Sequence, residues 1–169
     1  MNRDITVIKK IVLHRSQSSF GNKQIITHWH TAPKPAGNGW DGPGYHHLIR
    51  NAYPTAESYS NGIPVLICDG QIEDLMPYTE VGRHCYGHNT KSIGICMVGD
   101  TTFTAKQLYA LKHLVFRIRQ QFGDLPIYGH DELATSSIKV CPHIDMDFIR
   151  EFVNTRATPT RITRPGSAR

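Results

Sequence analysis

The chain has 169 residues, 39% of them hydrophobic and 20% charged, with a formal net charge of +5 when the histidines are neutral. That length suits one domain whose core stands without disulfide support. It has no apolar run of the roughly 18 residues a membrane-spanning helix needs, and four cysteines are too few for a disulfide scaffold.

The basic balance favours a polyanionic partner without choosing among nucleic acid, cell wall and membrane surface. No basic helix or aromatic-interleaved patch supports nucleic acid, so none is expected as a partner. In MNRDITVIKKIVLH, Lys9 and Lys10 interrupt the apolar run, so no signal peptide is expected. Synthesis in the cytoplasm would keep Cys68, Cys85, Cys96 and Cys141 reduced.

Residues 5–13 are apolar and β-branched around the lysine pair, which predicts a strand with His14 at its C-terminal end. Such strand ends carry ligands and catalytic groups in α/β sheets. Residues 23–31 read as a helix with Ile25, Ile26 and Trp29 on its apolar face. The stretch 32–44 has three prolines and four glycines and reads as a loop anchored by Trp40. Residues 45–49 return to strand, which puts His47 on the face of Tyr45 and packs His46 on the other. Residues 51–64 form a polar insertion carrying Tyr53 and Tyr59.

In VLICDGQIEDL, the pair Asp69 and Gly70 between apolar runs predicts a hairpin. Residues 83–91 read as a polar loop and 92–99 as a central strand. Thr104 and Gln107 make a capping box for a helix over 104–122, striped by Leu108, Leu111, Leu114, Val115, Ile118 and Phe122 and closed by Gly123. A short strand over 126–128 runs into His130. Asp145 caps a helix over 146–153, with Phe148, Ile149 and Phe152 expected inward. Beyond it lies a tail with Arg156, Arg161, Arg164 and Arg169 and almost nothing apolar. The expected division is a folded domain over 1–155 and a disordered basic tail over 156–169. The fold class expected is α/β, one domain with a mixed central sheet flanked by helices.

The segment GHDELATSSIKVCP gathers His130, Lys139 and Cys141 into residues 129–142. A catalytic zinc needs three protein ligands and one open position. His14, His130 and Cys141 supply that count if the strands ending at the two histidines lie side by side. Spacing alone leaves other histidines in play. His143 offers a Cys-x-His alternative, while His28 and His30 point to different faces of their helix and read as surface or structural residues. Cys68, Cys85 and Cys96 read as plain thiols.

Several segments together resemble one family. IVLHRS, GPGYHHLI, GHNTKSIGICMVGD, TFTAKQLYALKHLV and IYGHDELATSSIKVCPHIDM occur in the order found in zinc-dependent N-acetylmuramoyl-L-alanine amidases of the second type. That family includes amidase-type phage lysozymes and peptidoglycan recognition proteins. The resemblance implies one Zn2+ held by His14, His130 and Cys141 at the strand ends, with Tyr45 and Lys139 as catalytic residues. It places His84 and Asn89 at the substrate groove, and His47 joins them as a candidate substrate contact. It implies hydrolysis of the amide between N-acetylmuramic acid and L-alanine in peptidoglycan by a monomer that reaches the wall after release. Family members that only bind peptidoglycan typically lack the cysteine and tyrosine, which are both here. In amidases that recycle muropeptides in the cytoplasm the third ligand is usually aspartate, so Cys141 argues against that variant. The 51–64 insertion stands where the family commonly makes a tight hairpin.

Overall fold

The computed structural model describes residues 1–134 and 140–155. Five strands form one mixed sheet: β1 (Lys10–Arg15), β2 (His47–Ile49), β3 (Ile72–Asp74), β4 (Ser92–Met97) and β5 (Ile127–Gly129), in the order β3-β2-β4-β1-β5. β4 is central, as expected, and runs parallel to β1 and β2, while β5 runs parallel to β1. The helices are α1 (Lys23–Thr31), α2 (Ala56–Ser60), α3 (Ala105–Phe122), α4 (His130–Leu133) and α5 (Met146–Asn154).

Side chains alternate across β1 and β4 and build two cores. On one face Ile11, Leu13, Ile93, Ile95 and Met97 pack with Leu111, Leu114, Val115 and Ile118 of α3 and with Ile149 and Val153 of α5. On the other face Leu48, Cys96 and Val98 pack with Ile26 of α1. That second core is thin, which leaves His14 and its neighbours room on the same face.

Several sequence expectations change in detail. The first strand begins at Lys10 rather than residue 5, because the Asp4 carboxylate caps a 3-10 turn over Ile5–Val7, and it continues through His14 to Arg15. The expected hairpin is absent. Leu66–Cys68 is a 3-10 turn with Leu66 and Ile67 exposed, and β3 pairs antiparallel with β2 instead. Gly70 still turns the chain, at φ +81°, and the sheet is mixed through this other pairing. The insertion holds α2, closed by a Thr55 and Ser58 capping box. In α5 the inward positions are Met146, Ile149 and Val153; Phe148 is 45% exposed and stacks on Phe152. The capping box of α3 is present as expected. The tail over 156–169 and Lys139 lie outside the described residues.

Candidate active site

The parallel pairing of β1 with β5 sets Leu13 beside Gly129, so His14 and His130 emerge next to each other. Their rings lie 4.6 Å apart, centroid to centroid. Cys141 is brought in by Asp131, whose backbone N–H donates to the Cys141 carbonyl at 3.0 Å and whose carboxylate accepts from the Cys141 N–H at 3.2 Å. The loop comes this close because Gly129 has no side chain: a Cβ there would stand 3.1 Å from the Pro142 ring and 2.8 Å from the Asp131 carboxylate. One donor atom each from His14, His130 and Cys141 then falls within 4.8 Å of the others.

This set fits zinc. Two imidazoles and a thiolate are its preferred ligands, and bonds of about 2.0–2.3 Å require the atoms to close by about an ångström, within reach of side-chain rotation. Both histidines are held neutral, as ligation demands. Burial comes first in lowering His14 far below the usual imidazole value, and the neighbouring His84, His130 and His30 add to it. Burial also lowers His130, with Asp131 opposing. Burial pushes the Cys141 thiol up, while the Arg15 backbone amide and guanidinium pull it down.

The tautomer of His14 follows from a hydrogen-bond chain. The Ser92 hydroxyl donates to the His88 carbonyl at 2.9 Å. Its oxygen is then the acceptor for Nε2–H of His84 at 3.3 Å, which leaves Nδ1 of His84 to accept from Nε2–H of His14 at 3.1 Å. The Nδ1 lone pair of His14 is therefore the one presented to a cation. His84 lies flat enough on the sheet to do this only because residue 94 is glycine, where a Cβ would meet its ring at 2.7 Å.

Tyr45 stands against His14, ring centroids 5.0 Å apart. Burial above all, then the Cys96 and Cys141 thiols, pushes its phenol well up, so it is a hydrogen-bond donor at neutral pH. His30 buttresses it at 5.1 Å and accepts the Gly44 N–H on Nδ1. A groove of about 750 Å³ opens beside the cluster, with His84, His130, Trp40 and the 83–90 loop on its walls.

His84 and Asn89 both line this groove, and both also shape it. The Asn89 side-chain oxygen accepts the N–H groups of His84 and Cys85. His47 does not share the face of Tyr45. It lies on the α3 face of β2, bonded through Nδ1 to Asp74 and through Nε2 to the Tyr78 hydroxyl, each at 2.7 Å. The alternation fails because Tyr45 precedes the strand, which starts at His47. His46 is packed, as expected, with Nδ1 accepting the Gly94 N–H. His143 is exposed and outside the cluster. Sequence reasoning missed Asp131, Ser92 and Arg3, whose guanidinium donates to the Asn89, Thr90 and Ser92 carbonyls and so holds the groove loop. A glycine inside a central strand, here Gly94, was the available sign of a close approach.

Comparison with known proteins agrees with this architecture. The family model for N-acetylmuramoyl-L-alanine amidase matches residues 4–144. The endolysin of Klebsiella phage KP32 is 28% identical over 129 residues, covering 72% of this chain and 69% of the phage protein. The endolysin of Escherichia phage T7 matches with the same identity and coverage. Among solved structures, the N-acetylmuramoyl-L-alanine amidase LysC from Clostridium intestinale URNW superposes with a TM-score of 0.69 at 21% identity, covering 92% of each chain.

Proposed function

The chain belongs to the N-acetylmuramoyl-L-alanine amidase family, and from that premise we propose that it cleaves the amide joining N-acetylmuramic acid to L-alanine in bacterial peptidoglycan, as a zinc hydrolase of endolysin type. The observation that carries the reading is the convergence of His14, His130 and Cys141, with the Tyr45 phenol against them. A recognition module that does not cleave needs neither the thiol nor the phenol.

Zinc held by His14 Nδ1, His130 and Cys141 would supply a Lewis acid and a water of lowered pKa. The residues around it do the rest. The chain from His14 through His84 to Ser92 keeps the His14 ring in one tautomer and orientation. Tyr45, protonated at neutral pH, donates a hydrogen bond to the scissile carbonyl oxygen as negative charge develops on it. Lys139, two residues before Cys141, adds a positive charge for the same oxygen. The groove beside His84, held open by Asn89 and Arg3, receives the stem peptide. Among the described residues no helix is long and apolar enough to cross a membrane.

Turbidity of purified cell walls, followed with and without a chelator, tests the reading together with mass spectrometry of products from one defined muropeptide. Chelator-sensitive clearing and release of a peptide with a free L-alanine amine are expected. Intact muropeptide after prolonged incubation with zinc-loaded protein would overturn it.

A further inference from the structure

We propose that the cavity beyond the C-terminal ends of β2 and β4, walled by the 51–64 insertion, is a binding site for a neutral N-acetylhexosamine saccharide. The cavity measures about 460 Å³ and lies apart from the groove that holds His84. Asn51, Tyr53 and Tyr59 form one wall, and Asp100, Thr101 and Thr102 another.

Its chemistry selects the ligand. Asp100 is the one charged side chain among the described lining residues, and Arg15 neutralises it at 2.6 Å. A phosphate or a free carboxylate would find no countercharge there. An apolar ligand would leave the Thr101 and Thr102 hydroxyls stranded. A sugar carries both faces at once, C–H surface for the tyrosine rings and hydroxyls or acetamides for the exposed Thr101 and Thr102. The rings are prepared for this: Tyr59 is 48% exposed and is held edge-on to Tyr53 at 5.3 Å. The Tyr53 carbonyl is tied to the Gly21 N–H, so the insertion is anchored to the segment that follows β1.

Position links the cavity to the cluster. All the parallel strands end on one edge of the sheet, and β1 lies between β5 and β4. Arg15, the last residue of the strand that carries His14, reaches toward the cavity, its guanidinium donating to the Asp100 carbonyl and carboxylate. The cavity and the three ligands therefore both lie at that edge of the sheet. The choice of an N-acetylhexosamine rests on the amidase reading; the preference for a neutral polyhydroxylated ligand does not.

The test is an amide-resolved NMR titration of the full zinc-loaded chain with a neutral tetrasaccharide of N-acetylglucosamine, which has no lactyl carboxylate, repeated with a stem peptide lacking sugar. The tetrasaccharide should shift the amides of residues 51–59 and 100–102 saturably. Tyr59→Ala should weaken that binding about tenfold, the scale of one lost aromatic contact, and Thr101→Trp, which fills the cavity, should abolish it. Thermal unfolding of both variants confirms that they fold. No saturable shift in the wild type, unchanged affinity in folded Tyr59→Ala and Thr101→Trp, or shifts at these residues with the stem peptide instead, would each overturn the proposal. Tetrasaccharide binding by a protein that hydrolyses no muropeptide would sink the amidase reading and leave this site standing.

Discussion

Cys141 and Lys139 stand two residues apart and are assigned different work, so they separate on substitution. Cys141→Ala is expected to lose zinc and activity together. Lys139→Ala is expected to keep zinc and lose on the order of a hundredfold or more in kcat, the usual cost of one oxyanion partner. Metal analysis by mass spectrometry alongside a wall-lysis assay distinguishes the two, and wild-type lysis by Lys139→Ala would remove that residue from the mechanism. His84 acts through its neighbour. Because Nδ1 of His84 accepts the His14 Nε2–H, His84→Phe keeps a ring over Gly94 but releases the His14 tautomer. Zinc affinity should fall about 10–100-fold, measured by competition with a chromophoric chelator; unchanged affinity would show that the hydrogen-bond chain is dispensable. At this scale zinc chemistry restricted the ligand types to histidine and cysteine, and the family resemblance, not the spacing, singled out His14, His130 and Cys141. Asp131 was not legible, since its value lies in touching both the N–H and C=O of a residue ten positions away.

Elements read from periodicity held where local rules decide them. α1 has the expected bounds, and α3 has its expected cap because Thr104 and Gln107 satisfy each other's backbone groups. The Thr104 hydroxyl also donates to Asp69 at 2.6 Å, so Thr104→Ala loses two contacts. It should destabilise by about 1–2 kcal/mol and lower Tm by a few degrees in a calorimetric scan. Elements that depend on distant partners were misread. The alternation in VLICDGQIEDL suggests a local hairpin, yet β3 finds a better partner in β2, whose edge is already ordered against β4. The face of His47 was misassigned for a related reason: a strand boundary two residues later than expected cuts Tyr45 out of the alternation.

Across the molecule, an unusual number of histidines is buried, and this sets its pH dependence. Burial holds His30 at about 4 and His46 at about 3, with Arg3 also opposing a proton on His46. Each accepts a backbone N–H on Nδ1, from Gly44 and Gly94 respectively, and protonation would turn that acceptor into a donor. Both folded values lie below the unfolded value near 6.5, so the unfolded chain binds more protons as the medium acidifies. Stability is full above about pH 6.5 and declines toward pH 4 and below, by on the order of 1–2 kcal/mol from each histidine by pH 5. Urea midpoints at pH 7 and pH 5 should show the loss. His30→Gln, which retains an acceptor for Gly44, should flatten it, and an unaltered slope in that variant would place the acid sensitivity elsewhere. The sequence by itself determined the α/β class, the places of α1, α3 and α5, and the residue types able to hold zinc, because these follow from short-range periodicity, capping and ligand chemistry. The tertiary structure decided which of ten histidines face one another. Parallel pairing of β1 with β5 and β4, and the missing side chains at Gly94 and Gly129, bring together groups from both ends of the chain. That register is a property of the packed sheet, and no local pattern encodes it.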